Sequence, residues 1–352
     1  MTTAAGGATG FVSFGEATSE AVTAIAWWSA DGRIWTQSAT QFADFDVDGV
    51  IWDGSQYVAF GENSLRPAVW LSTDGQSWSP AADIPSEADI DFFRVAEMGG
   101  QLYGVGVWLG DDSPAPYGVL RTWTSDDGSS WEPVSTAATD RQLNYYQGLT
   151  ASKGMLVAWG DISVADNSDG VYQRPVVLNS TNGGQTWTSA LVGKVDSQVL
   201  DVTGVPSGLL AVGSGPYCCE EGGNWPVRAW TSSDASTWIR AAFLPDTGVD
   251  MLTQVAPFGG GYVALGTNYG EAMSWRSDDG TVWIESSSVP DTSADPGPDC
   301  TGGPCPATVV NDLAAGDLGL IAVGLNRREI GGDDDFHIEY RSVVWMALAS
   351  GD

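Results

Sequence analysis

Histidine and lysine are nearly absent from these 352 residues: His337 is the only histidine, and Lys153 and Lys194 the only lysines. A serine–histidine nucleophile is disfavoured, because that one histidine lies in an acidic stretch and no G-x-S-x-G elbow occurs. No glycine-rich phosphate loop followed by a helix is present. Cysteine is sparse too, with Cys218-Cys219 in one cluster and Cys300 and Cys305 in another. Without a C-x-x-C or further histidines, zinc is disfavoured and disulfides in an oxidising compartment are expected. Three pairings are possible, and spacing does not choose among them. No apolar run approaches the ~20 residues that a membrane-crossing helix needs. Nor is a signal peptide visible; Met1 and the small residues after it read as a start placed after a removed leader. Basic residues number 14 against 45 acidic ones, a net charge of −31. That excludes nucleic acid and anionic membrane surfaces as partners. It fits a saline or Ca²⁺-containing extracellular setting, and it also serves solubility.

What the chain has in quantity is tryptophan, 17 in all. Six of these close a recurring turn opened by Ser29, Ser72, Ser125, Ser180, Ser232 and Ser277, serines 43, 53, 55, 52 and 45 residues apart. A period of this size means a repeat architecture. Ser and Asp side chains hydrogen-bond the backbone of a reversing chain, Gly takes positive φ, and the Trp anchors the turn by burial. The pattern S-x-D-x-G-x-x-W resembles the Asp-box, and the chain is similar over nearly its whole length to the Asp-box (BNR-repeat, sialidase-like) β-propellers. Asp31, Asp74, Asp127 and Asp279 match the box aspartate. Two copies depart from it: Asn182 replaces the Asp beside an inserted Gly, and Ala235 stands where Gly is expected. The resemblance implies that each box joins the third and fourth strands of a blade, away from the usual ligand face. The box aspartates are thus expected to be structural.

The rest of each repeat has its own marks. Short β-rich runs end in Gly at 15, 61, 106, 160, 213, 266 and 324, giving seven second strands. Third strands are marked by Trp27, Trp70, Trp123, Leu178, Trp230, Trp275 and Trp345. First-strand core positions fall at Val50, Val95, Leu149, Val202, Val255 and Leu313, with Gly-bearing hairpins between first and second strands. The expected fold is all-β, a single seven-bladed propeller over residues 1–352, with box turns between strands 3 and 4 of six blades. The last blade lacks a recognisable box and fourth strand. Thr3–Gly7 falls where the first strand of blade 1 belongs, though it is short and poor in apolar residues.

Long segments join strands 2 to 3 (109–118, 161–174, 215–228, 326–340) and strand 4 to the next strand 1 (286–306), all on one face. Function is sought there. The mouth of the central channel is expected to carry Arg94, Asp201, Gln254, Asn311 and Asp312, able to hydrogen-bond a sugar or to satisfy one another. Trp108 and Trp225 are candidates for stacking on sugar rings or anchoring a protein. Asp201 and Asp312 are the best carboxylate pair for glycoside hydrolysis, which the resemblance associates with xyloglucanase-type relatives. Seven blades and one axial arginine argue against sialidase activity. Weak Ca²⁺ candidates are Asp333, Asp334 and Asp335; the D-x-D-x-D-G run at Asp44–Gly49 leads straight into a first strand and lacks the closing Glu. The leading expectation is a secreted or surface-attached module that binds a glycan or an extracellular protein, needing no cofactor. The alternative is a glycoside hydrolase using Asp201 and Asp312.

Overall fold

A computed structural model describes residues 1–18, 22–64, 66–85, 89–108, 119–134, 143, 145–165, 171–215, 226–244, 251–268, 271–288, 308–330 and 337–348. The alternating apolar pattern and the Gly-bearing turns produce antiparallel sheets, and no helix occurs among the described residues. Seven sheets form the blades of a β-propeller. First strands run Thr3–Gly7, Asp46–Trp52, Ile90–Met98, Tyr145–Ser152, Gln198–Val205, Met251–Phe258 and Thr308–Gly316. Blades 1 to 5 each have four strands in sequence order, as expected. Blade 6 carries an extra strand, Ala242–Leu244, laid parallel along the outer edge of Val282–Ser288. Covering that edge suits a fourth strand longer than its counterparts, since an exposed edge invites pairing with another chain. Blade 7 has three strands among the described residues, and Thr3–Gly7 does form the first strand of blade 1.

The box turns form as their chemistry dictates. Asp74 Oδ1 accepts the backbone N–H groups of Gln76 and Ser77, both at 2.8 Å, and Ser72 Oγ takes the N–H of Gly75 at 2.8 Å. Trp78 Nε1 then donates to the carbonyl of Gly75. In blade 1 the N–H groups of Ile34 and Arg33 hold the Asp31 carboxyl below the usual range. Both departures are accommodated locally. Asn182 accepts from Thr186, one residue further on, with Gly183 and Gly184 both at positive φ. Ala235 takes φ 59°, a left-handed conformation that costs a non-glycine residue about 1 kcal/mol. Asp74→Ala is expected to destabilise the fold by about 1–2 kcal/mol through loss of this capping, measured by chemical denaturation, without altering ligand binding.

The core lies between blades. Phe14, Phe42, Trp70 and Trp78 meet edge to face between blades 1 and 2, with centroids 4.9 to 5.2 Å apart for the closest pairs. Trp275 and Trp283 are fully buried among blade 5 and 6 residues such as Leu210, Val212 and Val227. At about 25 cal/mol per Å² over the ~200 Å² of an indole, each such ring contributes about 5 kcal/mol.

One further regularity positions the channel. The first strands of blades 2 to 7 each bulge at the same level: between Val47 and Gly49, around Phe93, between Tyr146 and Gly148, Val199 and Asp201, Leu252 and Gln254, and Val310 and Asp312. A bulge gives two residues on one strand to one on its partner and re-aims side chains. Opposite it, in blades 2, 5 and 6, lie the run-ending glycines Gly61, Gly213 and Gly266. A Cβ on any of them would overlap the first-strand carbonyl oxygen of Asp46, Gln198 or Met251. Glycine ends these runs because the bulged backbone leaves no room for a side chain.

Candidate functional site

At each bulge of blades 2 to 7 first-strand residues stand outside the regular pairing. Asp48, Arg94, Gln147, Leu200, Asp201, Thr253, Gln254, Asn311 and Asp312 are all half-buried, as side chains in a narrow channel wall should be. Several reach forward to the neighbouring blade. Arg94 Nε donates to the Gln147 carbonyl at 3.4 Å, and Gln254 Nε2 to the Asn311 carbonyl at 2.9 Å. Asp201 Oδ2 accepts the Val255 N–H at 2.8 Å. Asp312 Oδ2 accepts from Thr3 Oγ1 and the Ala4 N–H, both at 2.8 Å, while its Oδ1 takes the Leu313 N–H at 2.7 Å. Asn311 Nδ2 donates to the Met1 carbonyl at 2.9 Å.

These carboxylates differ electrically. Burial pushes Asp201 up to about 7, opposed by the Val255 N–H and reinforced by the negative charge of Asp312. Asp312 is also raised by burial but has more donors on it, from Ala4, Thr3 and Leu313. Three donors on Asp312 against the Val255 and Val202 N–H groups on Asp201 favour the charged form more at Asp312, and leave Asp201 the better proton holder. The two aspartates, two blades apart in the ring, thus feel each other across the axis.

A second constellation spans blades 2 to 4. Asp48 Oδ1 and Arg94 Nη1 form an ion pair at 2.6 Å. Tyr146, 1% exposed, sits where it feels the charges of both; burial raises its pKa, so it stays a phenol. Gln147 Nε2 donates to Asp161 Oδ2 at 3.3 Å. Asp161 is 8% exposed and pushed up to about 6 by burial. The Tyr146 hydroxyl, Gln147 Oε1 and Asp161 Oδ1 have no hydrogen-bond partner among the described residues. Buried polar atoms left open in this way mark places that water or a ligand fills.

Of the residues singled out from sequence, Arg94, Asp201, Gln254, Asn311 and Asp312 all stand on first strands at the level of the bulges, with Gln254 bonded to the Asn311 carbonyl. Trp108 stands further out, half-buried, with the Arg121 guanidinium 4.6 Å from its ring centroid, so one of its faces is taken. Trp225, Asp333, Asp334, Asp335 and all four cysteines lie outside the described residues. Among the described residues no group of three or more His, Cys, Asp or Glu is arranged to hold a metal ion. Asp46 opens the first strand of blade 2 beside Glu16, whose pKa is raised by burial and by the Asp46 charge. Sequence reasoning missed Tyr146 and Asp161. A signal for Asp161 existed: it directly follows the run-ending Gly160, as Glu16 follows Gly15 and Glu62 follows Gly61.

No protein-family model matches the chain, and no curated protein matches it by sequence. Solved structures resemble it in shape. Puromycin hydrolase superposes with a TM-score of 0.54 at 12% identity, covering 99% of this chain and 53% of the other. Trypanosoma rangeli sialidase bound to the inhibitor DANA gives 0.46 at 13% identity, over 88% of this chain and 56% of that one. Penicillium chrysogenum α-L-arabinanase complexed with arabinobiose gives 0.44 at 17%, over 82% and 89%. This chain therefore spans little more than half the length of the hydrolase or the sialidase. At such identities the likeness is one of propeller fold.

Proposed function

We propose that the chain is a carbohydrate-active propeller of Asp-box type, holding a glycan at the channel mouth and cleaving it as a glycoside hydrolase through Asp201 and Asp312. The observation that carries this reading is the unequal pair of axial carboxylates. Two carboxyls whose surroundings push their protonation apart are what acid-assisted glycoside cleavage uses. Asp201, protonated up to about pH 7, donates to the departing glycosidic oxygen. Asp312, the anion, attacks the anomeric carbon or activates a water, and the stereochemistry of the product distinguishes the two. Gln254 and Asn311 supply hydrogen bonds to sugar hydroxyls, Arg94 holds Asp48 and the Gln147 carbonyl in place beside them, and Trp108 offers its free ring face.

The reading takes the protein as secreted or surface-attached, on the strength of its acidity and its clustered cysteines, and requires no cofactor. Ca²⁺ remains tied to Asp333, Asp334 and Asp335.

The test is release of reducing ends from a panel of soluble glycans. Wild type is expected to release them, with activity falling as pH rises through about 7, where Asp201 loses its proton. Asp201→Asn and Asp312→Asn are each expected to lower the rate at least ~100-fold while binding persists. A second reading is binding without cleavage, to a glycan or an extracellular protein. It is favoured by the ties of Asp201 to Val255 and of Asp312 to Thr3 and Ala4, which join neighbouring blades and need no chemistry. Glycan binding with no reducing ends from any substrate would decide for it.

A further inference from the structure

Within the glycan reading, on which this inference rests, we infer that the part of the mouth between blades 2 and 4 is a subsite for a protonated amine, so that the preferred ligand is an amino sugar rather than an acidic or N-acylated one. Three observations converge on it. The channel's arginine is already spoken for: Arg94 is neutralised by Asp48 at 2.6 Å and gives its Nε to the Gln147 carbonyl. An anionic ligand would find no free cation among the described channel residues, and would meet Asp48, Asp201 and Asp312 on the first strands, with Asp161 bonded to Gln147 on the next strand.

Two of the three open groups are pure acceptors, and the third, the Tyr146 hydroxyl, can accept as well as donate. The Gln147–Asp161 bond at 3.3 Å fixes the two side chains against each other and leaves Gln147 Oε1 and Asp161 Oδ1 unfilled. An ammonium has three N–H donors and no acceptor, the complement of such a pair. A neutral acetamide or hydroxyl fills an acceptor but leaves the carboxylate charge uncompensated in a poorly solvated site. The wall beside it is built and dry. Tyr146 is 1% exposed, its hydroxyl unpartnered, and it feels the charges of Arg94 and Asp48, which places it at the same mouth. Asp161 itself is 8% exposed. The overall charge of −31 adds a long-range attraction for cationic glycans.

The experiment uses the full chain carrying Asp201→Asn, so that no probe is cleaved, at about pH 6.5, just above the Asp161 value of about 6. Calorimetry compares a glucosamine hexamer, its fully N-acetylated counterpart and a galacturonic acid hexamer. The amine-bearing probe is expected to bind at least ~10-fold more tightly than the N-acetylated one, with no binding of the acidic one. Asp161→Asn, nearly isosteric, is expected to erase that preference while leaving the N-acetylated probe unchanged. Equal binding of amine and N-acetyl forms, or a preference that survives Asp161→Asn, overturns the inference and leaves the glycan reading standing. Failure of all three probes, with binding of a neutral plant glycan, overturns it likewise. Failure of every glycan overturns both. Binding of a lysine oligomer without any glycan would point to a basic protein partner instead.

Discussion

Asp201→Asn is expected to stabilise the fold above pH 7 while removing hydrolysis. Burial raises the pKa of Asp201 to about 7 from the ordinary aspartate value of 3.8. A carboxyl raised on folding contributes stability that is complete below its unfolded pKa and is lost as pH rises through the folded one. The window therefore runs from about pH 4 to pH 7, and above it the native state carries an ill-solvated anion beside Asp312. At 1.36 kcal/mol per pKa unit, and with the charge shared across the pair, the burden is about 2–4 kcal/mol. An amide at this position still accepts the Val255 N–H and never ionises. In a 352-residue chain that gain raises Tm by about 3–5 °C at pH 8, and flattens the dependence of Tm on pH between 4 and 7. Thermal scans of wild type and variant across that range measure it. A substitution that stabilises and inactivates marks a residue retained for chemistry. A lower Tm at pH 8 would instead make the carboxylate a structural tie to blade 6.

Gly213→Ala is expected to destabilise by about 3 kcal/mol or more. Gly213 pairs with Val199 beside the bulge, and an added Cβ overlaps the Gln198 carbonyl oxygen and crowds the Val199 backbone. The obstruction is backbone, with no flexible side chain to swing aside, so one of the two strands must move. Gly54→Ala is the control: nothing lies within 4 Å of its Cβ, and its φ of 98° leaves only conformational strain of about 1 kcal/mol. Denaturant midpoints of the two variants should differ accordingly. Equal midpoints would mean that the bulge can flatten, and the channel-facing pair on that strand would lose its explanation.

The scaffold was legible because it repeats. The run-ending glycines recur in all seven blades, and the third-strand tryptophans and the Ser-to-Trp turns in six, each from a local cause. The strand positions of Arg94, Asp201, Gln254, Asn311 and Asp312 were legible for the same reason, each lying one or two residues before a first-strand core position. Departures arise where contacts cross between blades. Asp48 meeting Arg94, Tyr146 reaching toward both and Gln147 holding Asp161 depend on which blade follows which, and no period in one strand records that. The strand Ala242–Leu244 is another case, a blade linker that pairs sideways with Val282–Ser288.

The forward reach of the channel side chains has a mechanical consequence. Arg94 leans on blade 4, Asp201 on blade 6, Gln254 on blade 7 and Asp312 on blade 1, always in the same rotational sense. With Asp48 meeting Arg94, five of the seven joints of the hub are laced like overlapping slates, and the last blade is fastened to the first. An open stack of repeats frays from its end units, but a hub closed in this way presents no end. Loosening a blade at one of these joints removes an anchorage of the blade before it, so the ring is expected to hold or fail as a whole.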